Sequence, residues 1–327
     1  MKLGIIGAGR IGQVHARSVW QNPDTTLVAV SDPHIEAAQS VTARYGGTAV
    51  ATAEEVINNP EVEAIVICSP TPFHAEQILA AAKANKPALC EKPIAMDSAT
   101  VEQLYRELEG LNPRVMMGFN RRFDPSFAAA KQASDAGKLG KVEQVTIISR
   151  DPAAPPKEYI AVSGGIFKDM TIHDFDMARF LIGDIASVSA VGQNLDPDLA
   201  DTGDFDGAVI TMVNTEGASA TVVNSRHCAT GYDQRLEIFG TQGSVFCENV
   251  LPTTAHISTA NHSRAQDTYL DFFLDRYAQA YALELAAFVS AARGERDFSP
   301  SIADGAAALR IAEAAETSAR ELRTVTL

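Results

Sequence analysis

The chain has 327 residues, 46% of them hydrophobic, and a formal net charge of −14. That length means about two domains, with enough apolar residues for sizeable cores. An acidic chain with no basic cluster longer than Arg121-Arg122 is a poor match for nucleic acid or an anionic membrane surface.

No apolar stretch approaches the roughly 20 residues that span a bilayer. Met1 runs straight into strand-like KLGIIGAG without a basic region or cleavage site, so no signal peptide is expected. Cys68, Cys90, Cys228 and Cys247 form no CxxC pair. Buried free thiols in a reducing cytoplasm are the natural reading.

Up to about residue 120, strand and helix patterns alternate. KLGIIGAG, TTLVAVSD, GTAV, EAIVICSP, PALCEKP and RVMMGFN read as strands, several of them unbroken apolar runs that suit burial on both faces. AEQILAAAKAN and SATVEQLYRELEG read as helices between them. The alternation predicts a Rossmann-type, doubly wound parallel sheet over 1–120. After Phe123 the pattern changes to VEQVTIISR, SVSAVGQNL, GAVITMVN, SATVVNSR, RLEIFG and SVFCEN, with glycine-bearing turns TEGA and GTQGS. This predicts an α+β domain with a large, mostly antiparallel sheet over 121–327. A helical tail closes it, from about Phe272 to Leu322, broken at GERDFSPS.

GAGRIG (Gly7, Gly9, Arg10, Ile11 and Gly12, with Ala8) ends the first strand and opens a helix. Glycines there permit a tight turn and let a pyrophosphate rest on the helix N-terminus. Asp32 ends the next strand, twenty residues beyond Gly12. A carboxylate at that spacing suits adenosine ribose hydroxyls. The bland alternative is a glycine turn with a solvated Asp. Asp32 would also repel a 2′-phosphate, which favours NAD over NADP. Open parallel sheets bind ligands beyond the carboxyl ends of their strands. CSPTPFHAEQ places Ser69, Thr71 and His74 at that rim, CEKPI places Glu91 and Lys92, and Arg121-Arg122 follow RVMMGFN. Lys92 has an ordinary reading as an exposed loop lysine, but it shares an edge with the glycine turn.

GGIFKDMTIHDFDMARFL, residues 164–181, carries charges that an apolar helix face would not bury cheaply. Asp169 and His173 are four apart and would share a helix face, which Asp176 extends. Asp174 lies about 100° around from His173. As a solvated stripe these residues would do little. As half a metal site, Asp-x-x-x-His lacks an obvious partner motif, with only His227 and His256 elsewhere, and no metal is expected. The chemical reading is a proton acceptor: histidine titrates near neutral pH, and a carboxylate can fix its tautomer.

In this order GAGRIG, Asp32, SPTPFHAEQ, CEKP and GGIFKDMTIHDFD resemble the family of glucose–fructose oxidoreductase and inositol dehydrogenase, over essentially the full length. MGFNRRFDPSF, EYIAVSGGIFKDMTIHDFDMARFL and YDQRLEIFG narrow the resemblance to its bacterial inositol dehydrogenases. The resemblance implies NAD-dependent oxidation of a secondary hydroxyl of myo-inositol, with Lys92, Asp169 and His173 as the catalytic trio. It assigns Asp176, one of Arg121 or Arg122, and Tyr232 to the polyol; Asn120, beside the arginines, is a further candidate contact. It also implies a cis bond before Pro93 and a homotetramer. Rival readings are a dehydrogenase of scyllo-inositol or of an aldose such as glucose, and an NAD-binding sensor without turnover.

Overall fold

In the computed structural model, which describes residues 1–327, all six apolar runs of the first 120 residues form strands. The elements are β1 (Lys2–Ile6), α1 (Arg10–Gln21), β2 (Thr26–Ser31), α2 (Ile35–Tyr45), β3 (Thr48–Val50), α3 (Ala53–Ile57), β4 (Ala64–Ile67), α4 (His74–Lys83), β5 (Ala88–Glu91), α5 (Ser98–Glu107) and β6 (Val115–Gly118). The six strands pair in parallel in the order β3-β2-β1-β4-β5-β6. Every residue of β4, β5 and β6 is buried, as continuous apolar strands covered on both faces must be. Leu3, Ile5, Val30, Val66, Leu89 and Met116 form the centre of this core. Helix starts are written locally. Asp97 caps α5 by accepting from the Thr100 N–H at 2.7 Å, and Thr52 and Glu55 form a reciprocal capping box on α3. The strand order reverses between β1 and β4, which is where an open sheet of this kind offers a ligand crevice.

The second unit continues with α6 (Pro125–Asp135), β7 (Val142–Arg150), α7 (Lys157–Ser163), α8 (Gly165–Asp169), α9 (Ile172–Ile182), β8 (Ile185–Gln193), β9 (Gly207–Asn214), β10 (Ser219–Ser225), β11 (Asp233–Gly240), β12 (Gly243–Cys247) and α10 (Phe273–Arg276). After α11 (Ala278–Ala292) and α12 (Ile302–Glu321), a two-residue β13 (Val325–Thr326) joins the sheet edge. The seven strands run β12-β11-β7-β10-β9-β8-β13. All pairs are antiparallel except β7 with β10, which are parallel. Both expected hairpins are present, β9–β10 through TEGA and β11–β12 through GTQGS, with Gly217 at φ +90° in the first. Asp124 caps α6, accepting from the N–H groups of Ser126 and Phe127, and forms a buried ion pair with Arg276.

Two expectations need correcting. The chain does not divide once near residue 120. The first unit comprises Met1–Phe123 with Gln279–Leu309, and the second Asp124–Ala278 with Arg310–Leu327. The tail therefore serves both cores: Leu285 and Phe288 of α11 are fully buried in the first one. Nor does GGIFKDMTIHDFD form one helix. The helix breaks at Met170-Thr171, where the Thr171 N–H reaches back five residues to the Ile166 carbonyl at 2.9 Å. No helix of the structure is long and apolar enough to cross a membrane.

Candidate functional site

In the first unit the candidate residues are placed by strand ends. Gly7 has φ +97°, and a Cβ there would lie 2.5 Å from the Cys68 carbonyl oxygen. A Cβ on Gly12 would lie 2.0 Å from the Gly7 oxygen. These two glycines let the turn close. Gly9 differs, because a Cβ added to it would meet nothing within 4 Å. It caps α1 without a side-chain hydrogen bond, and no acidic residue stands in the first turn. A helix start that faces open space fits a pyrophosphate. Arg10 is exposed and Ile11 half-buried beside it.

Asp32 leaves β2 half-buried. One of its oxygens accepts from the Ala8 N–H and the other from the His34 N–H, both at 2.9 Å. Each carboxylate oxygen retains a lone pair, so the residue braces the glycine turn while still able to accept from a ribose.

Beyond β4, Ser69 Oγ donates to Gln77 Oε1 at 2.7 Å, and Thr71 opens the short turn into α4. His74 is buried, with Nδ1 2.7 Å from the Pro93 carbonyl and Nε2 2.7 Å from the Ser69 carbonyl. Burial pushes its pKa down against the two carbonyls, and a neutral ring donates to only one at a time. Its role here is to tie the β4 loop to the turn after β5. Glu91 ends β5, 6% exposed, with Oε1 2.8 Å from His15 Nε2. Lys92 follows, half-buried, and the Lys92–Pro93 bond is cis, as the resemblance implied.

After β6, Asn120 and Arg121 are buried. Arg122 pairs with Asp304, Nη2 to Oδ1 at 3.1 Å. Burial pushes the Asp304 carboxyl up, but the Arg122 charge and the Ser301 hydrogen bonds outweigh it, leaving its pKa at about 2.

In the second unit the candidate residues lie on α8 and α9 and around them. Asp169 ends α8, and its carboxylate accepts from the Tyr159 hydroxyl at 2.8 Å. Arg226, 1% exposed, stands 3.7 Å from Asp169 and 3.1 Å from Asp204. His173 lies in the first turn of α9, half-buried. The other charges of the stretch have different tasks. Asp174 is fully buried and accepts from Asn224 Nδ2 at 2.9 Å, while Thr171 Oγ1 donates to Asn224 Oδ1 at 2.6 Å. Arg179 pairs with the exposed Asp184 at 2.7 Å. Asp176 is 1% exposed, on the same helix as His173. Tyr232, just before β11, is buried with its ring edge-to-face against Tyr277 and Phe272.

Tyr159, Arg226 and Asn224 escaped the sequence reading. Arg226 follows SATVVNS at the end of a strand, and that position was its only signal. Burial pushes Cys68 and Cys90 well up and Cys247 to about 11, so these thiols stay protonated near neutral pH.

A parallel sheet with an open glycine turn and a carboxylate ending its second strand, followed by a sheet domain bearing a braced Asp and a histidine, fits a nicotinamide-nucleotide oxidoreductase. Comparison with known proteins narrows the class. Residues 1–119 match the oxidoreductase family with an NAD-binding Rossmann fold, and residues 127–246 match the GFO/IDH/MocA C-terminal domain. An inositol 2-dehydrogenase of Rhizobium meliloti is 42% identical over 329 residues, covering 100% of this chain and 99% of its own. The chain belongs to the GFO/IDH/MocA oxidoreductases. The crystal structure of a myo-inositol dehydrogenase from Corynebacterium glutamicum superposes with a TM-score of 0.97 at 46% identity, covering 100% of this chain and 98% of that one. That of a scyllo-inositol dehydrogenase from Lactobacillus casei, with bound NAD(H) and scyllo-inositol, gives 0.91 at 29% identity over 100% and 98% of the two chains.

Proposed function

We propose that this protein oxidises myo-inositol at one secondary hydroxyl to the corresponding inosose with NAD. The observation that carries the reading is the Asp169 carboxylate, fixed by Tyr159 and Arg226 four residues ahead of His173. A binding module has no need of an imidazole with a braced carboxylate, which argues against the sensor. NAD supplies the hydride acceptor. The glycine turn and Asp32 hold it, with Ser69, Thr71 and Glu91 along the same rim. His173 takes the hydroxyl proton as general base, and Asp169 stabilises the imidazolium that forms. Lys92 donates a hydrogen bond to the reacting oxygen as negative charge develops on it. Asn120, Arg121, Asp176 and Tyr232 satisfy the remaining hydroxyls, each of which needs a partner once stripped of water.

Two relatives named for myo-inositol, at 46% and 40% identity, support the myo epimer over scyllo-inositol or an aldose; names alone do not order the rest, since a myo-inositol dehydrogenase of Lactobacillus casei is 22% identical and scyllo-inositol dehydrogenases 29% and 34%. The assembly proposed is a homotetramer in the cytoplasm. In its support, Val191, Val209, Phe239 and Phe246 are exposed on the seven-stranded sheet, with Val191 directly opposite Val209.

The test is NADH production across inositol epimers and aldoses, in the parent and in His173→Ala. Myo-inositol should give the highest kcat/KM. His173→Ala should lower kcat by about 10² to 10⁴, the usual worth of a general base, with NAD affinity retained. A variant that keeps parental kcat removes His173 from the chemistry.

A further inference from the structure

Helix α11 reads AQAYALELAAFVSAA, an apolar helix with a single carboxylate. That carboxylate, Glu284, is 0% exposed, and neither of its oxygens has a hydrogen-bond partner. It faces His15 of α1, also 0% exposed, and Glu91 at the end of β5. The donor atoms of the three lie within 4.8 Å of one another. His15 gives Nε2 to Glu91 and leaves Nδ1 without a partner. The edge of the Tyr281 ring, one turn earlier on α11, closes over the imidazole with centroids 5.6 Å apart. Cys68, just past β4, is the remaining titratable neighbour that senses Glu284.

This position is unusual for what it joins. His15 belongs to the helix whose N-terminus is the pyrophosphate seat, and Glu91 immediately precedes Lys92. The cluster thus connects the two parts of the cofactor rim from beneath. Two ionised carboxylates cannot share so dry a site, because their repulsion and the loss of hydration both oppose the second charge. A neutral acid removes both penalties. Its O–H becomes a donor, and the three vacant atoms offer enough polar partners for one bridging water.

We infer that Glu284 is a positioning residue: as an uncharged acid it donates into the Glu91–His15 pair, directly or through one water, and so holds the cofactor rim in its binding geometry. The charge balance agrees with the geometry, since burial first and the Glu91 charge second push the Glu284 carboxyl well up. Taking the proton away places a second negative charge beside Glu91 and displaces it. NAD affinity is therefore linked to the proton on Glu284.

The inference rests on the reading of Glu91 and α1 as parts of the NAD site. Its test reads NAD binding rather than inositol turnover, so a wrong substrate leaves it intact. NAD Kd is measured by titration calorimetry between pH 6 and 10 in the full-length parent, Glu284→Gln and Glu284→Leu. Glutamine keeps a donor and an acceptor without a titrating proton. Glu284→Gln should match the parent near neutral pH and stay flat. The parent should weaken by up to about tenfold per pH unit once Glu284 ionises. Glu284→Leu should raise the NAD Kd at every pH, and if it does not fold, the glutamine variant carries the test. An infrared difference spectrum should show a protonated carboxyl band in the parent that Glu284→Gln lacks. Parallel pH profiles in parent and Glu284→Gln, or no such band, overturn the proposal. So does a stoichiometric divalent metal whose chelation weakens NAD binding in the parent alone, because the three side chains would then be its ligands.

Discussion

Arg226 and Asp169 form an ion pair at 3.7 Å that joins the end of β10 to the end of α8. The same guanidinium holds Asp204, whose other oxygen accepts from the Ile166 N–H in the first turn of α8 at 3.0 Å. One buried cation thereby fixes both the helix and the carboxylate it presents. Arg226→Met should destabilise the protein by about 3–5 kcal/mol, the usual cost of stranding a buried ionic partner. Arg226→Lys keeps the charge and loses the fork, so it should fold and lose kcat more than it raises KM for the polyol. Urea unfolding and steady-state kinetics check the two. Unchanged kcat in the lysine variant would show that Asp169 needs no such brace.

Cofactor choice should turn on Asp32. Because Asp32 also accepts from the Ala8 N–H, Asp32→Ser should loosen the glycine turn as well as remove the proposed ribose acceptor. One or two charge-assisted hydrogen bonds correspond to a loss of about 10- to 100-fold in kcat/KM for NAD. NADP should suffer less, because the repulsion of its 2′-phosphate goes too. A parent enzyme that uses both cofactors equally would sink this assignment.

Asp304 should register in acid. Its folded pKa of about 2 lies below the unfolded value of about 3.9. The stability it contributes is therefore complete above pH 4 and lost as pH falls from about 4 towards about 2. Asp304→Asn should be less stable than the parent at neutral pH, with the gap closing through that window. Chemical denaturation at a series of pH values measures it. A gap that stays constant to pH 3 would mean that Arg122 does not hold the carboxylate.

Asn224 should matter to the helix break. It donates to Asp174 and to the Ser149 carbonyl and accepts from Thr171, all from the middle of the sheet. Asn224→Leu should cost about 1–3 kcal/mol for the buried polar groups it leaves. It should also lower kcat by releasing the turn between Asp169 and His173. Thermal unfolding with activity at a common temperature tests both parts.

The strands were legible because their signal is local: ALCE and AIVI could hardly be anything but strands buried on both faces. The glycine turn and Asp32 were legible for the same reason, since a fixed spacing within one βαβ unit sets their geometry. The broken helix was not. Periodicity sees residues 165–182 as one helix, whereas the break is held by Asn224, about fifty residues away. Arg226 was hidden likewise, as a strand end says nothing about which carboxylates the fold brings to it. The return of α11 to the first core depends on where Leu285 and Phe288 find apolar partners, which is a property of the tertiary structure alone.

The parallel pairing of β7 with β10 bears on how the chain is made. Both neighbours of β7, β10 and β11, are encoded downstream of it, the nearer beginning about 70 residues after β7 ends. At about 5–20 residues per second, β7 spends roughly 4 to 14 s of synthesis with Val145 and Ile147 exposed and both edges unpaired. During that interval nothing can complete the sheet from its middle. The nascent chain is then a substrate for chaperones that hold apolar strands, and slowing translation between residues 150 and 219 should lower the soluble yield without changing the stability of the finished protein.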